Sequence, residues 1–134
     1  MGTAQLFLGL LGGFFPTCLR ADIAGYLSLG GLLRHSEMSL IGHIAEQALA
    51  EVRADKVILG IRAIDVEQGL ANAELQETMT DRAILKAGRE IIVVADHTKF
   101  GRSATVLLAP MESIHTIVTD QHTPQDFIEV VRER

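Results

Sequence analysis

The run Ile91-Ile92-Val93-Val94-Ala95, set between Glu90 and Asp96, constrains this chain more than any other stretch. Five apolar residues in succession, the first four β-branched, read as a strand covered on both faces, as in a parallel sheet sandwiched between helices. The chain then turns abruptly polar through Asp96-His97-Thr98-Lys99 before reaching Phe100-Gly101. In an open α/β sheet the ligand crevice lies beyond the carboxyl ends of the strands, so these four side chains arrive where recognition or chemistry takes place.

Other segments repeat the pattern. Lys56-Val57-Ile58-Leu59 reads as a second strand, followed by Gly60, a polar excursion through Asp65 and Glu67, and Gly69. Ala104–Leu108 is a strand stopped by Pro110, and Ile114–Val118 another, with Thr119-Asp120 at its carboxyl end. Tyr26–Leu29 is a short strand ended by Gly30-Gly31, after which Leu32–Glu37 is a surface excursion. Arg34, the firm cation of that excursion, either guards the mouth of the crevice or is a solvated surface arginine.

Ile44, Ala45, Ala48, Leu49 and Val52 fall on one helical stripe. Leu75, Met79, Ala83 and Ala87 recur at four-residue steps with Ile84 beside them, which predicts a second helix buried along that row. Glu77 lies off the row on the side of Asp81 and Ile84, where it either looks into a crevice or complements the helix dipole. Thr123-Pro124 predicts an N-cap and first-turn proline, followed by a helix whose apolar face is Phe127, Ile128, Val130 and Val131. The alternation of strands and helices predicts an α/β layered domain with a mostly parallel sheet flanked by helices. Residues 1–25 form a poorly defined apolar segment and residues 26–134 the α/β domain. Leu6–Phe15 lacks a basic residue before it and falls short of the roughly 20 residues of a membrane span, so it reads as a buried strand or hydrophobic leader.

Hydrophobic residues make up 48% of the chain and aromatic ones 4%, so the core is aliphatic. A net charge of −5 with no clustered basic surface argues against direct nucleic-acid binding by this chain. The single cysteine, Cys18, precludes an intrachain disulfide and fits a reducing, cytoplasmic setting. The five histidines, at 35, 43, 97, 115 and 122, show no pair at metal-ligand spacing, so neither a metal nor a cofactor is expected. What remains is Asp65, Glu77, Asp96 and Lys99. Lysine suits a phosphate, and carboxylates suit sugar hydroxyls or general-base work; the alternative for Asp96-x-x-Lys99 is a salt-bridged turn.

Taken in order, Leu29-Gly30-Gly31-x-x-Arg34, Gly42, Asp55-Lys56-Val57-x-x-Gly60, Ile64-Asp65-x-x-x-Gly69-Leu70, Glu77, Val93 through Gly101 and Ile117-Val118-Thr119-Asp120 resemble the C-terminal effector-sensing domain of DeoR-type bacterial transcriptional repressors, over roughly residues 27 to 130. The resemblance implies a Rossmann-like fold similar to ribose-5-phosphate isomerase and the CoA transferases, with loops that bind phosphorylated sugars. By the same resemblance Lys99 meets the effector beside Asp96, Asp65 faces it, and Glu77 matches the catalytic base of the isomerases. Gly31, Gly60 and Gly69 keep the loops tight. The winged helix-turn-helix of such regulators, their Ser-Gly-Thr-Thr-like phosphate loop and the strand after the last helix are not found, which leads us to expect a fragment or a trimmed relative. The expectation is thus a sugar-phosphate-sensing module that is cytoplasmic and homo-oligomeric and has no contact with DNA or membrane of its own. Two alternatives stand beside it: a sugar-phosphate isomerase using Glu77 as base, and a ligand-free oligomerisation domain.

Overall fold

The computed structural model describes residues 29–37 and 39–133. The apolar segment 1–25 and the strand expected from Tyr26 lie outside the described residues, apart from Leu29, which is not in a strand. At the centre, β3 (Ala54–Gly60), β6 (Gly88–Val94) and β8 (Thr116–Val118) pair in parallel in the order β3-β6-β8. Leu59, Val93 and Ile117 lie in one cross-strand row, and Gly60, Val94 and Val118 in the next. Side chains on successive residues point to opposite faces of a strand. Val57, Leu59, Ile91 and Val93 therefore share one face, and they form the core with Leu49, Ile84 and Ala87 from two helices. The opposite face is more open: Val94 is 45% and Val118 50% exposed. Ile58 and Ile92 on that face are half-buried, so β6 is covered less completely there than a strand buried on both sides would be.

Helix α1 (His43–Ala50) buries Ala45 and Leu49 as its stripe predicts, while Ile44 is exposed. In α2 (Leu75–Ala87) the buried residues are Thr78, Thr80, Ile84 and Ala87, whereas Leu75 is 58% and Met79 47% exposed. The predicted apolar row is thus displaced in its first half. The threonines take the inward positions because their hydroxyls find partners there: Thr78 donates to the Glu74 carbonyl at 2.7 Å, and Thr80 Oγ1 accepts the Gly42 N–H at 3.0 Å. A buried hydroxyl so satisfied escapes most of the desolvation cost.

The same helix is anchored by Asp81, whose Oδ2 accepts from buried Asn72 Nδ2 at 2.8 Å. Burial, and then the neighbouring Glu77 charge, push the Asp81 carboxyl up to about 7, against the opposing pull of the Asn72 hydrogen bond.

The remaining strands are antiparallel, so among the described residues one of three sheets is parallel. The excursion expected at Leu32–Glu37 contains β1 (Leu32–Arg34), which forms a hairpin with β2 (Ser39–Ile41). The polar excursion after Gly60 is β4 (Ala63–Asp65) and β5 (Gly69–Asn72), joined by a turn in which Asp65 Oδ1 accepts from the N–H groups of Glu67 and Gln68, both at 2.8 Å. β7 (Val106–Ala109) adds to β5 and ends at Pro110 as predicted. At Gly69, φ is 93°, and a side chain there would overlap the Ala109 carbonyl oxygen. Helix α3 (Gln125–Arg132) starts one residue later than expected: Pro124 is the N-cap and the Thr123 hydroxyl pairs with that of Thr119 at 2.6 Å. No helix among the described residues is long and apolar enough to cross a membrane.

Two outcomes follow. Gly69→Ala combines a strained backbone with overlap on a neighbouring carbonyl, and urea unfolding will show a loss on the order of 2–5 kcal/mol. Gly60→Ala, whose added methyl meets nothing within 4 Å, will stay within about 0.5 kcal/mol of the parent. The second concerns Asp81: an unfolded chain releases this proton near 3.8 and the folded one near 7, so ionisation penalises the fold progressively as pH rises across that window. Asp81→Asn retains the neutral shape, and its stability advantage will grow from near zero at pH 4 to a few kcal/mol at pH 8, at roughly 1.4 kcal/mol per pKa unit. Unfolding at the two pH values checks this.

Candidate functional site

The parallel pairing of β6 with β8 continues one residue past β6, where the Ala95 N–H donates to the Val118 carbonyl at 3.0 Å. Beyond it Asp96 opens a single 3-10 turn, His97–Lys99. The Asp96 carboxylate accepts from the Thr98 hydroxyl and from the Thr98 N–H at 2.8 Å, and these two bonds hold its carboxyl below the usual carboxylate range. The Lys99 N–H donates back to the Asp96 carbonyl at 3.1 Å. The Asp96-x-x-Lys99 spacing is therefore that of a capped turn. Asp96, His97 and Thr98 are exposed and Lys99 is half-buried.

Across the rim stands Asp120, two residues past the end of β8. Its Oδ2 accepts from the His97 N–H at 3.0 Å and lies 2.9 Å from His97 Nδ1, while Oδ1 is 3.2 Å from the same ring nitrogen and accepts from the His122 N–H at 2.8 Å. The bonds from the His97 ring and then its backbone hold the Asp120 carboxyl down at about 2. The His122 ring packs edge-on against that of His97, with centroids 5.5 Å apart. Asp96, His97 and Asp120 also present potential metal-ligating atoms within 4.8 Å of one another, a grouping that histidine spacing along the chain does not register. The sequence signal for this pair is indirect: residues 97 and 120 become neighbours only once Val94 is placed opposite Val118.

Asp65 is used by its own turn, but its hairpin adjoins the same rim. Ile64 bridges to Phe100, and its carbonyl accepts the Gly101 N–H at 2.9 Å. Arg34 and Glu77 form a separate cluster. Arg34 Nη1 donates to Glu77 Oε2 at 2.9 Å and Nη2 to Glu74 Oε1 at 2.8 Å, tying β1 to α2. With its side chain 14% exposed, Arg34 is not a solvated surface arginine. No hydrogen bond or ion pair among the described residues joins Arg34 or Glu77 to Asp96 or Lys99.

Of the other candidate glycines, Gly31 has φ 124° and lies against the Ile41 carbonyl, so the tight approach is real there, whereas Gly60 has open space around it. A cavity of about 80 Å³ lined by Met111, Ile114, His115, Thr116, Ile117 and Val131 lies at the other end of β8 and is smaller than ligand pockets usually are.

The model of the DeoR C terminal sensor domain matches residues 20–121 of this chain. Transcriptional repressor AccR of Agrobacterium fabrum is 35% identical over 116 residues, which cover 86% of this chain and 45% of that protein. The glycerol-3-phosphate regulon repressor of Escherichia coli K12 is 33% identical over 104 residues, covering 78% and 41%. The HTH-type transcriptional regulator GlpR of Haloferax volcanii is 33% identical over 91 residues, covering 68% and 36%. The chain thus spans less than half the length of these relatives, which are regulators of transcription. Glu77 is held by Arg34, so it is not the free base that the isomerase alternative needs. The chain belongs to the DeoR C-terminal sensor domain family.

Proposed function

We propose that residues 26–134 are the effector-sensing part of a transcriptional regulator and that the effector is a phosphorylated sugar or polyol, bound at the rim formed by the turns after β6 and β8. The observation that carries this reading is the state of Lys99. Lys99 stands on the capped turn at the carboxyl end of β6, where its charge acts on Asp96, and it makes no ion pair among the described residues. The carboxylate nearest in sequence, Asp96, is occupied by Thr98. A lysine held on such a turn is a point charge suited to a phosphate.

Asp96 and Asp65 supply acceptors for hydroxyls beside it, and Gly31, Gly60 and Gly69 shape the surrounding loops. Glu77 and Arg34, the other expected ligand residues, form a cluster of their own between β1 and α2. The likeness to a glycerol-3-phosphate regulon repressor points to the same ligand class. In this reading the sheet is the sensor's Rossmann-like half, the chain works in the cytoplasm as a homo-oligomer, and DNA is contacted by another part of the regulator. The net charge of −5 suits that division.

A thermal-shift panel of sugar and polyol phosphates, glycerol 3-phosphate included, tests the reading. A ligand at a hundred times its Kd adds about 2.7 kcal/mol to the folded state, so binding will raise the wild-type midpoint by several degrees and Lys99→Ala will abolish the rise. If no phosphate ester moves the wild type, the ligand-free oligomerisation alternative takes its place.

A further inference from the structure

We propose that a second copy of this chain docks on the outer stripe of α2, the two helices lying antiparallel about a two-fold axis near Met79; this gives the homo-oligomer of the sensor reading its surface and rests on that part of the reading. The stripe is Leu75, Met79, Arg82 and Lys86, which follow one another at steps of four, three and four residues, the spacing of a coiled-coil seam. All four are exposed, Leu75 at 58% and Met79 at 47%. Beside them stands Leu107 of β7, 53% exposed, whose carbonyl accepts from the Arg82 guanidinium. Apolar side chains scattered singly over a surface need no explanation, but these three lie together. The first half of α2 is also turned inside out. Its core side carries Thr78, Thr80 and Asp81, each with a polar partner, while Leu75 and Met79 face solvent. An apolar stripe on the outer side of a helix calls for a second partner.

The charges select a second copy as that partner. Glu74, whose side chain is 58% exposed although Oε1 accepts from Arg34, stands at the amino end of the stripe, and Arg82 and Lys86 stand at its carboxyl end. Reversing one copy against the other therefore brings Glu74 to the partner's Lys86 and Lys86 to the partner's Glu74, with Met79 against the partner's Met79 between them. The aliphatic stems of Arg82 and Lys86 cover the partner's Leu75. Antiparallel packing also sets the positive end of each helix dipole beside the negative end of the other. One helix stripe and one strand residue make a small interface, so association depends on concentration.

The test is sedimentation velocity of the full 134-residue chain over a concentration series. The wild type will pass from monomer to dimer. Met79→Glu sets two like charges together at the axis and will raise the dimer dissociation constant by about tenfold or more. Glutamate suits an exposed helix position, so the melting midpoint of the dilute variant will match that of the dilute wild type. Glu74→Lys and Lys86→Glu will each self-associate more weakly than the wild type. Mixed in equal amounts they will dimerise again, because both end pairs are then opposite in sign.

As a measurement that needs no variant to fold, the methyl resonances of Met79 and Leu75 in the wild type will move on dilution while that of Val118, on the open face of the sheet, stays in place. An oligomer that Met79→Glu leaves intact overturns this surface and leaves the homo-oligomer standing. Dissociation by Val118→Asp and not by Met79→Glu assigns the interface to the sheet face and likewise overturns it. A wild type that stays monomeric throughout the series overturns both the surface and the homo-oligomer. Phosphate binding, read separately by thermal shift, is untouched by any of these results.

Discussion

Everything that positions the candidate site depends on the hydrogen-bonded ladders on both edges of β6. Paired with β3 on one side and β8 on the other, this strand presents Ile91 and Val93 to the core. Its carboxyl end sets the height of the Asp96 turn, and the level pairing of Val94 with Val118 brings Asp120 across from it. Were β8 to slip by one residue, its side chains would change face and the His97–Asp120 contact would be lost. Apolar burial thus specifies a register, and the register assembles a polar constellation from residues distant in the chain.

The second support of the fold is the polar inner side of α2. Thr78, Thr80 and Asp81 sit where aliphatic residues would give more hydrophobic stabilisation, yet each has a specific partner. Such contacts are directional where apolar packing is not. Thr80 and Asp81 fix the helix in rotation against α1 and β5, and the Arg34 bridge to Glu74 and Glu77 adds a third tether to the β1–β2 hairpin. A carboxyl near neutrality at this junction is a by-product of burying it beside Glu77.

Much of this was legible from residue order. The runs at Val57–Leu59 and Ile91–Val94 announce buried parallel strands because β-branched residues crowd together there, and Pro110 ends β7 where its missing N–H predicts. The short antiparallel strands were not legible. β1, β2 and β4 are three residues each, too brief to show alternation, and the glycines that flank β1 and β2 read equally well as loop. The buried row of α2 misled because periodicity weighs Leu75 and Met79 as core formers and has no term for a threonine satisfied by backbone. Lys99 and Asp96 could be singled out by sequence because they share one turn. His97 and Asp120 could not, since their meeting is a property of the sheet.

The unequal support of the two halves of the rim has a mechanical consequence. Lys99 follows β6, a strand gripped on both edges, while Asp120 follows β8, which is three residues long and, among the described residues, held along one edge only. One jaw is fixed and the other is mounted on the more compliant strand. A molecule touching both would register as a displacement of β8 and of the helix that follows it, so the direction in which occupancy is transmitted is already written in the order of the strands.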